Sequence, residues 1–279
     1  MTSQTSTAEH AVQPPTPSRA PRLAGMTRKL DCARIHTRIG LDRGLRLCDG
    51  PQPTATPRNK FRTSSHMACD PTFDANFRAQ FRDLLGWRRD VRRFQRAPLP
   101  AGTLKRLLQL ASLAPSVGLS EPWRFVVVRE ATRRDRIKSC FKACNAAALN
   151  SQTSDRGSLY ARLKLEGLDD SPCHVAVFAD RSTAQGHGLG RLTMPEMIEY
   201  SAVLAIHTMW LAARTEGIGV GWLSILDPAE VVAILDIPPD WTFIGYFCIG
   251  YPVENCDTPA LERQGWESRR PSSETVFYR

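Results

Sequence analysis

Residues 193–225, TMPEMIEYSAVLAIHTMWLAARTEGIGVGWLSI, decide the fold. Thr193, Pro195 and Glu196 carry the signs of a helix start: a capping hydroxyl, a proline suited to the first turn and a glutamate that completes a capping box. From Ser201 to Leu211 the chain is apolar on nearly every side, the pattern of a helix enclosed by the rest of its domain. His207 lies within it and reads as a hydrogen-bonded core histidine rather than a catalytic one. Gly217 ends the helix, and Val220–Ile225 has the length and composition of a strand.

Working outward, helix and strand signals alternate without a regular strand–helix–strand period. Phe73, Phe77, Phe81, Leu84 and Leu85 line one helix face; Leu104, Leu107, Leu108 and Ala111 line another, over 103–113, before Pro115. Further helices are expected over 133–148, 160–166 and 228–235, with a loop over 150–158. Strands are expected over 123–128, 174–179 and 243–250. Gln185–Arg191 reads as a flexible glycine-rich loop. No glycine-rich turn follows the first strand, so the pattern favours α+β over a doubly wound dinucleotide fold.

The chain has 279 residues, 42% of them hydrophobic and 23% charged, which suits a globular protein. Its net charge of +9 is concentrated at one end. Residues 1–66 hold 11 Lys and Arg against 4 Asp and Glu, with seven prolines, whereas residues 67–279 hold 26 against 24. Residues 1–66 are therefore expected to be a disordered basic extension, and residues 67–279 one folded domain. A nearly neutral domain has no basic face for nucleic acid. None of the eight cysteines forms a C-x-x-C pair, and Cys140 and Cys144 have no further ligand at metal spacing, so free thiols in a reducing cytoplasm are expected and no metal. No apolar run reaches the roughly 18–20 residues of a membrane span.

Three stretches carry chemistry. Arg88-Arg89-Asp90-Val91-Arg92-Arg93-Phe94 puts four arginines within six positions. Their planar forks suit phosphate, and a carboxylate held among them suits proton handling or a ring N–H. In Pro115-Ser116-Val117-Gly118-Leu119-Ser120-Glu121-Pro122-Trp123, a helix stop is followed by residues able to present hydroxyl and N–H groups to a polar edge. In Gly217-Ile218-Gly219-Val220-Gly221-Trp222-Leu223-Ser224, three glycines would let backbone approach a flat ring. Each has a plainer reading as a solvated face, a turn or a helix cap.

Taken in order, the three resemble the nitroreductase superfamily, whose members bind FMN. Tyr160–Leu168, Met194–Met197 and Gly221–Pro228 bring the resemblance closer to its flavin-fragmenting branch, the 5,6-dimethylbenzimidazole synthases, over about residues 70–270. The resemblance implies an FMN-binding α+β fold with a central mixed or antiparallel sheet packed by helices. It implies a homodimer and an oxidoreductase that uses O₂ to fragment reduced FMN to 5,6-dimethylbenzimidazole, the lower ligand of vitamin B12, and erythrose 4-phosphate. A separate flavin reductase would supply FMNH₂ at the expense of NAD(P)H. Asp90 and Ser224 would be catalytic. Arg88, Arg89, Val91, Arg92, Ser116, Gly118, Ser120, Tyr160, Lys164, Gly221 and Trp222 would join them in holding the flavin. Glu121 stands where the family commonly has glutamine, and a carboxylate cannot donate the hydrogen bonds of an amide. An NAD(P)H-dependent FMN oxidoreductase and a non-catalytic flavin-binding protein are the alternatives.

Overall fold

The computed structural model describes residues 71–279; the expected extension over 1–66, with Cys32 and Cys48, lies outside the described residues, as does Cys69. Helix α1, Ala75–Trp87, begins where the Asp74 carboxylate accepts the Phe77 N–H at 2.7 Å. Of the expected stripe, Phe77, Phe81, Leu84 and Leu85 lie on this helix and Phe73 just before it; Leu84 is half-buried and the other four remain exposed within the single chain. Helix α2, Thr103–Ala111, turns Leu107 and Ala111 into the core.

Four strands form one antiparallel sheet in the order β1-β2-β4-β3: β1 Trp123–Val127, β2 Cys173–Asp180, β3 Gly219–Leu223 and β4 Trp241–Gly250. Strand β2 is apolar from Val175 to Ala179 because both of its faces are covered. Val175, Val177 and Ala179 pack with Leu107, Ala205, Ile206 and Met209, while Ala176 and Phe178 pack with Ile137, Phe141, Val231 and Ile234. Each fully buried aliphatic or aromatic side chain contributes about 1.5–3 kcal/mol, so the two layers hold the sheet from both sides. The second layer comes from α3, Ala131–Asn150, and α6, Pro228–Leu235, the latter capped by Asp227, whose carboxylate accepts the Ala229 N–H.

Helix α5, Met197–Thr215, fills the first layer. It starts later than expected: Glu196 is its N-cap residue, no side chain caps it, and the Thr193–Glu196 capping box does not form. The chain enters through turns in which Met194 and Pro195 carbonyls already accept the Met197 and Ile198 N–H groups. Nor is α5 enclosed on every side. Ile198, Ala202, Ala205, Met209 and Ala213 are buried, but Tyr200 and Leu204 on the opposite face are 51% and 43% exposed, and His207 is exposed beside them. The reading of His207 as a core histidine is thereby overturned: helical spacing put it on the outer face.

Two further expectations change. The segment expected to loop holds helix α4, Ser154–Tyr160, and of Tyr160–Glu166, expected to be helical, only Tyr160 is, as the last residue of α4; a turn and irregular chain follow. Residues 185–191 fold into consecutive turns. No helix among the described residues is long and apolar enough to cross a membrane.

Candidate active site

The arginine stretch leaves α1 in extended conformation and crosses the end of the sheet. Asp90 bridges Val220 of β3 in parallel, and Phe94 bridges Pro252 antiparallel. The Val91 N–H donates to the Val220 carbonyl at 3.0 Å, and Gln95 and Val253 continue the pairing with Tyr251 and Arg93. Gly221 permits this approach: a Cβ there would stand 2.1 Å from the Val91 carbonyl oxygen. A Cβ on Gly219 would likewise meet the Val91 side chain. The glycine motif thus admits the arginine strand, where a flat ring was expected.

Asp90 is fixed at both carboxylate oxygens. Its Oδ1 accepts the Trp222 backbone N–H at 2.9 Å, and its Oδ2 accepts Arg92 Nε at 2.9 Å. Its side chain keeps 34% exposure, so the carboxylate is oriented yet reachable. Arg92 also donates from Nη1 to the Lys164 carbonyl at 3.2 Å, which ties the 164–168 segment to the arginine stretch. Lys164 Nζ lies 3.5 Å from Glu166 Oε1.

These groups border a cavity of about 310 Å³ whose lining includes Arg89, Asp90, Arg92, Arg93, Lys164 and Arg263, together with Glu254 and Cys256. Arg88 lies next to it, its guanidinium 5.0 Å from the centre of the Trp210 ring. Arg89 donates from Nε to the Cys256 carbonyl, and its own carbonyl accepts Trp210 Nε1. Burial and then repulsion from Arg269 lower the pKa of both Arg88 and Arg89 from the ordinary arginine value. Cations desolvated beside another cation are stabilised by an incoming anion, so the cavity fits a phosphate group. A narrow recess continues from Asp90 between Glu166, Gly167, Gly221, Trp222 and Cys248. Burial pushes the Cys248 thiol up to about 12, so this side chain lines the recess as an uncharged thiol.

The remaining expected residues lie elsewhere. Ser116, Gly118 and Ser120 form a turn at the N-terminal end of α5, where Val117 N–H donates to Ser201 Oγ at 3.0 Å. The arginine stretch meets α5 at Trp210. Nine residues of helix, about 13 Å at 1.5 Å each, separate these contacts. Ser116 Oγ accepts the Glu121 N–H at 3.1 Å, whereas Ser120 Oγ is buried without a hydrogen-bond partner. The Trp222 ring nitrogen is also buried and unpartnered. Ser224 is exposed, just beyond the end of β3. Tyr160 does not join the cationic cavity: it is buried, its hydroxyl donates to Asn145 at 2.8 Å, and its ring meets Trp266.

Sequence reasoning missed Glu166, Cys248, Cys256, Arg263 and Arg269. Only long-range pairing brings them to the arginines, and of the five only Glu166 lies in a stretch singled out from the sequence, Tyr160–Leu168. Among the described residues no group of three or more His, Cys, Asp or Glu is placed to hold a metal ion.

Comparison with known proteins agrees with this geometry. The Nitroreductase family model matches residues 85–251. The 5,6-dimethylbenzimidazole synthase of Rhodospirillum rubrum is 55% identical over 205 residues, covering 74% of this chain and 97% of that protein. That of Rhodobacter capsulatus is 42% identical over 200 residues, covering 72% and 97%. A crystal structure of oxidised iodotyrosine deiodinase bound to FMN and 3-iodo-L-tyrosine superposes with a TM-score of 0.52 at 23% identity, over 63% of this chain and 91% of that one. With its antiparallel sheet, its buried α5 and its arginine strand laid against β3, the chain belongs to the nitroreductase family.

Proposed function

We propose that this protein is an oxidoreductase that takes reduced FMN as its substrate and, with O₂, fragments it to 5,6-dimethylbenzimidazole and erythrose 4-phosphate. One observation carries the reading. Asp90 is held between the Trp222 N–H and Arg92 beside a cationic cavity, in a chain 55% identical to a named synthase over 205 residues, nearly the whole of that protein.

The residues divide the work by their chemistry. Arg88, Arg89, Arg92 and Lys164 take the phosphate and the polar edge of the flavin. Asp90, hydrogen-bonded by Arg92 and by the Trp222 N–H, accepts or returns a proton at the ring edge. Gly221 and Val91 hold the strand pairing that aims Asp90, and Trp222 supplies the wall of the recess. Ser224 sits where the chain leaves that wall and bonds the flavin ring in this reading. Flavin supplies the redox chemistry with oxygen when bound; the protein supplies orientation, charge and a proton site.

Ser116, Gly118 and Ser120 act from a second copy of the chain. Their turn and the arginine stretch contact α5 about 13 Å apart, so a two-fold arrangement brings one turn to the other copy's cavity. The exposed stripes of α1 and α5 give such a homodimer its apolar surface. A separate flavin reductase, drawing on NAD(P)H, supplies FMNH₂. The free thiols Cys140, Cys144, Cys173, Cys248 and Cys256 suit the reducing cytoplasm, where we place the reaction. The domain from residue 67 onward carries the activity, without the basic extension.

Incubation of the purified protein with FMNH₂ and air, followed by chromatography for 5,6-dimethylbenzimidazole, tests the reading. Catalytic NADPH oxidation with FMN left intact would replace it by an ordinary flavin oxidoreductase. Tight FMN binding with neither reaction would leave a binding protein.

A further inference from the structure

The turn that presents Ser116, Gly118 and Ser120 is strained. Gly118, Leu119 and Glu121 have φ of 56°, 56° and 41°, and two of these three carry side chains that disfavour the left-handed region. Such backbone persists only where its surroundings over-determine it, and it clusters at sites that bind or react. Bonds within the turn close it on itself: the Leu119 and Ser120 N–H groups donate to the Ser116 and Val117 carbonyls. They do not fix how the turn faces outward, where Leu119 is 70% exposed.

A second loop does. Gln185 Nε2 donates to the Leu119 carbonyl at 2.8 Å. The backbone of Gly186 lies directly against Gly118, so close that a Cβ on Gly186 would stand 2.5 Å from the Gly118 carbonyl oxygen. A Cβ on Gly118 would stand 2.8 Å from the Leu189 oxygen, and one on Gly190 the same distance from Val117 Cγ2. The loop is itself held in turns, with Leu189 N–H on the Gly186 carbonyl and Arg191 Nη2 on the Thr183 carbonyl. Two glycine turns are therefore interlocked, and the Gln185 amide bonds across them to Leu119, one of the two residues with side chains that the turn holds at positive φ.

We propose that the loop Gln185–Gly190 sets the presentation of the Ser116–Ser120 turn to the flavin, and that Gln185 is a positioning residue for the reaction. The inference rests on the proposed flavin-handling role of that turn. A carbonyl turned by a bond to Gln185 leaves the neighbouring N–H and hydroxyl groups, the unpartnered Ser120 Oγ among them, aimed consistently. Without that bond the strained peptide is free to relax.

Gln185 is exposed, so its replacement does not disturb the core. In the full-length protein, Gln185→Glu keeps the size of the side chain but sets an acceptor against a carbonyl, while Gln185→Lys restores a donor. The readouts are the visible spectrum of bound oxidised FMN, its affinity by fluorescence quenching, the yield of benzimidazole per FMNH₂ oxidised, and the thermal midpoint. The expected result is an altered flavin spectrum and a loss of about tenfold in yield for Gln185→Glu, the scale on which small misplacements act. Gln185→Lys should recover most of the loss, with all thermal midpoints alike. A Gln185→Glu protein equal to the parent in spectrum, affinity and yield overturns the proposal. So does a loss that tracks a lowered midpoint and is not rescued by lysine. If the parent binds FMN yet makes no benzimidazole, the proposed reaction fails, and the spectrum and affinity of the variants still decide the role of Gln185.

Discussion

The arginine stretch and the Ser116–Ser120 turn are built on opposite principles. The first is relaxed extended chain, paired with β3 on one side and with Tyr251–Val253 on the other, and its carboxylate is satisfied at both oxygens. The second holds left-handed backbone against its preference and keeps a buried hydroxyl without a partner. The first is satisfied within the chain; the second leaves one enclosed hydroxyl, that of Ser120, unsatisfied. The molecule invests its sheet in placing charge and leaves its strained loops to meet the ligand.

Removing the fixed charge should have the largest effect. Asp90→Asn retains an oxygen for the Trp222 N–H but loses the ion pair with Arg92, and benzimidazole formation is expected to fall by about 10²–10⁴-fold. FMN binding should persist, as quenching titrations would show; equal activity would remove Asp90 from the chemistry and unmake the contrast.

Beneath the arginine half, His174 shares the sheet face that carries Cys248, and its Nδ1 lies 3.0 Å from the Tyr246 hydroxyl. Burial, then the nearby Arg134 charge, lowers its pKa from 6.5 to about 4. The unfolded chain therefore binds the extra proton first, so this stability is fully present above about pH 6.5 and is lost as pH falls toward 4. The loss should approach about 3 kcal/mol. Urea denaturation at pH 7 and pH 5 measures it, and His174→Gln should flatten the slope across that window.

Two small substitutions then test the halves with opposite signs. Gly221→Ala drives a methyl into the Val91 carbonyl and should destabilise by about 1–3 kcal/mol while weakening FMN binding. Leu119→Gly relieves a left-handed residue whose side chain is mostly in solvent, and should stabilise by about 0.5–1 kcal/mol, net of the entropy glycine adds to the unfolded chain. Thermal or urea midpoints that move the same way in both would erase the distinction. Deleting residues 1–66 should leave the rate of benzimidazole formation unchanged, the smallest effect of all.

What the sequence disclosed follows the same division. The helix expected over 228–235 is α6 and the strands expected over 174–179 and 243–250 are β2 and β4, because local apolar patterning acts through neighbours in the chain. The arginines and Asp90 were legible as one cluster for the same reason. The role of Gly221 was not, since its reason is a strand 130 residues away. Tyr160–Glu166 was expected to be helical, but the helix ends at Tyr160 and the chain beyond runs to the cavity, where the Lys164 carbonyl accepts from Arg92. His207 followed the helix period correctly, yet its neighbours alone could not say that this face of α5 is left uncovered by its own chain.

The long reach of these contacts has a consequence for synthesis. Asp90 waits 132 residues for Trp222, and Arg89 waits 167 for the Cys256 carbonyl. At about 5–20 residues per second on the ribosome, the arginines emerge several seconds to half a minute before anything that will orient them. During that interval the nascent chain carries the charge of a binding site but not its shape, and it becomes competent to hold a ligand only when translation has passed the segment that walls the cavity.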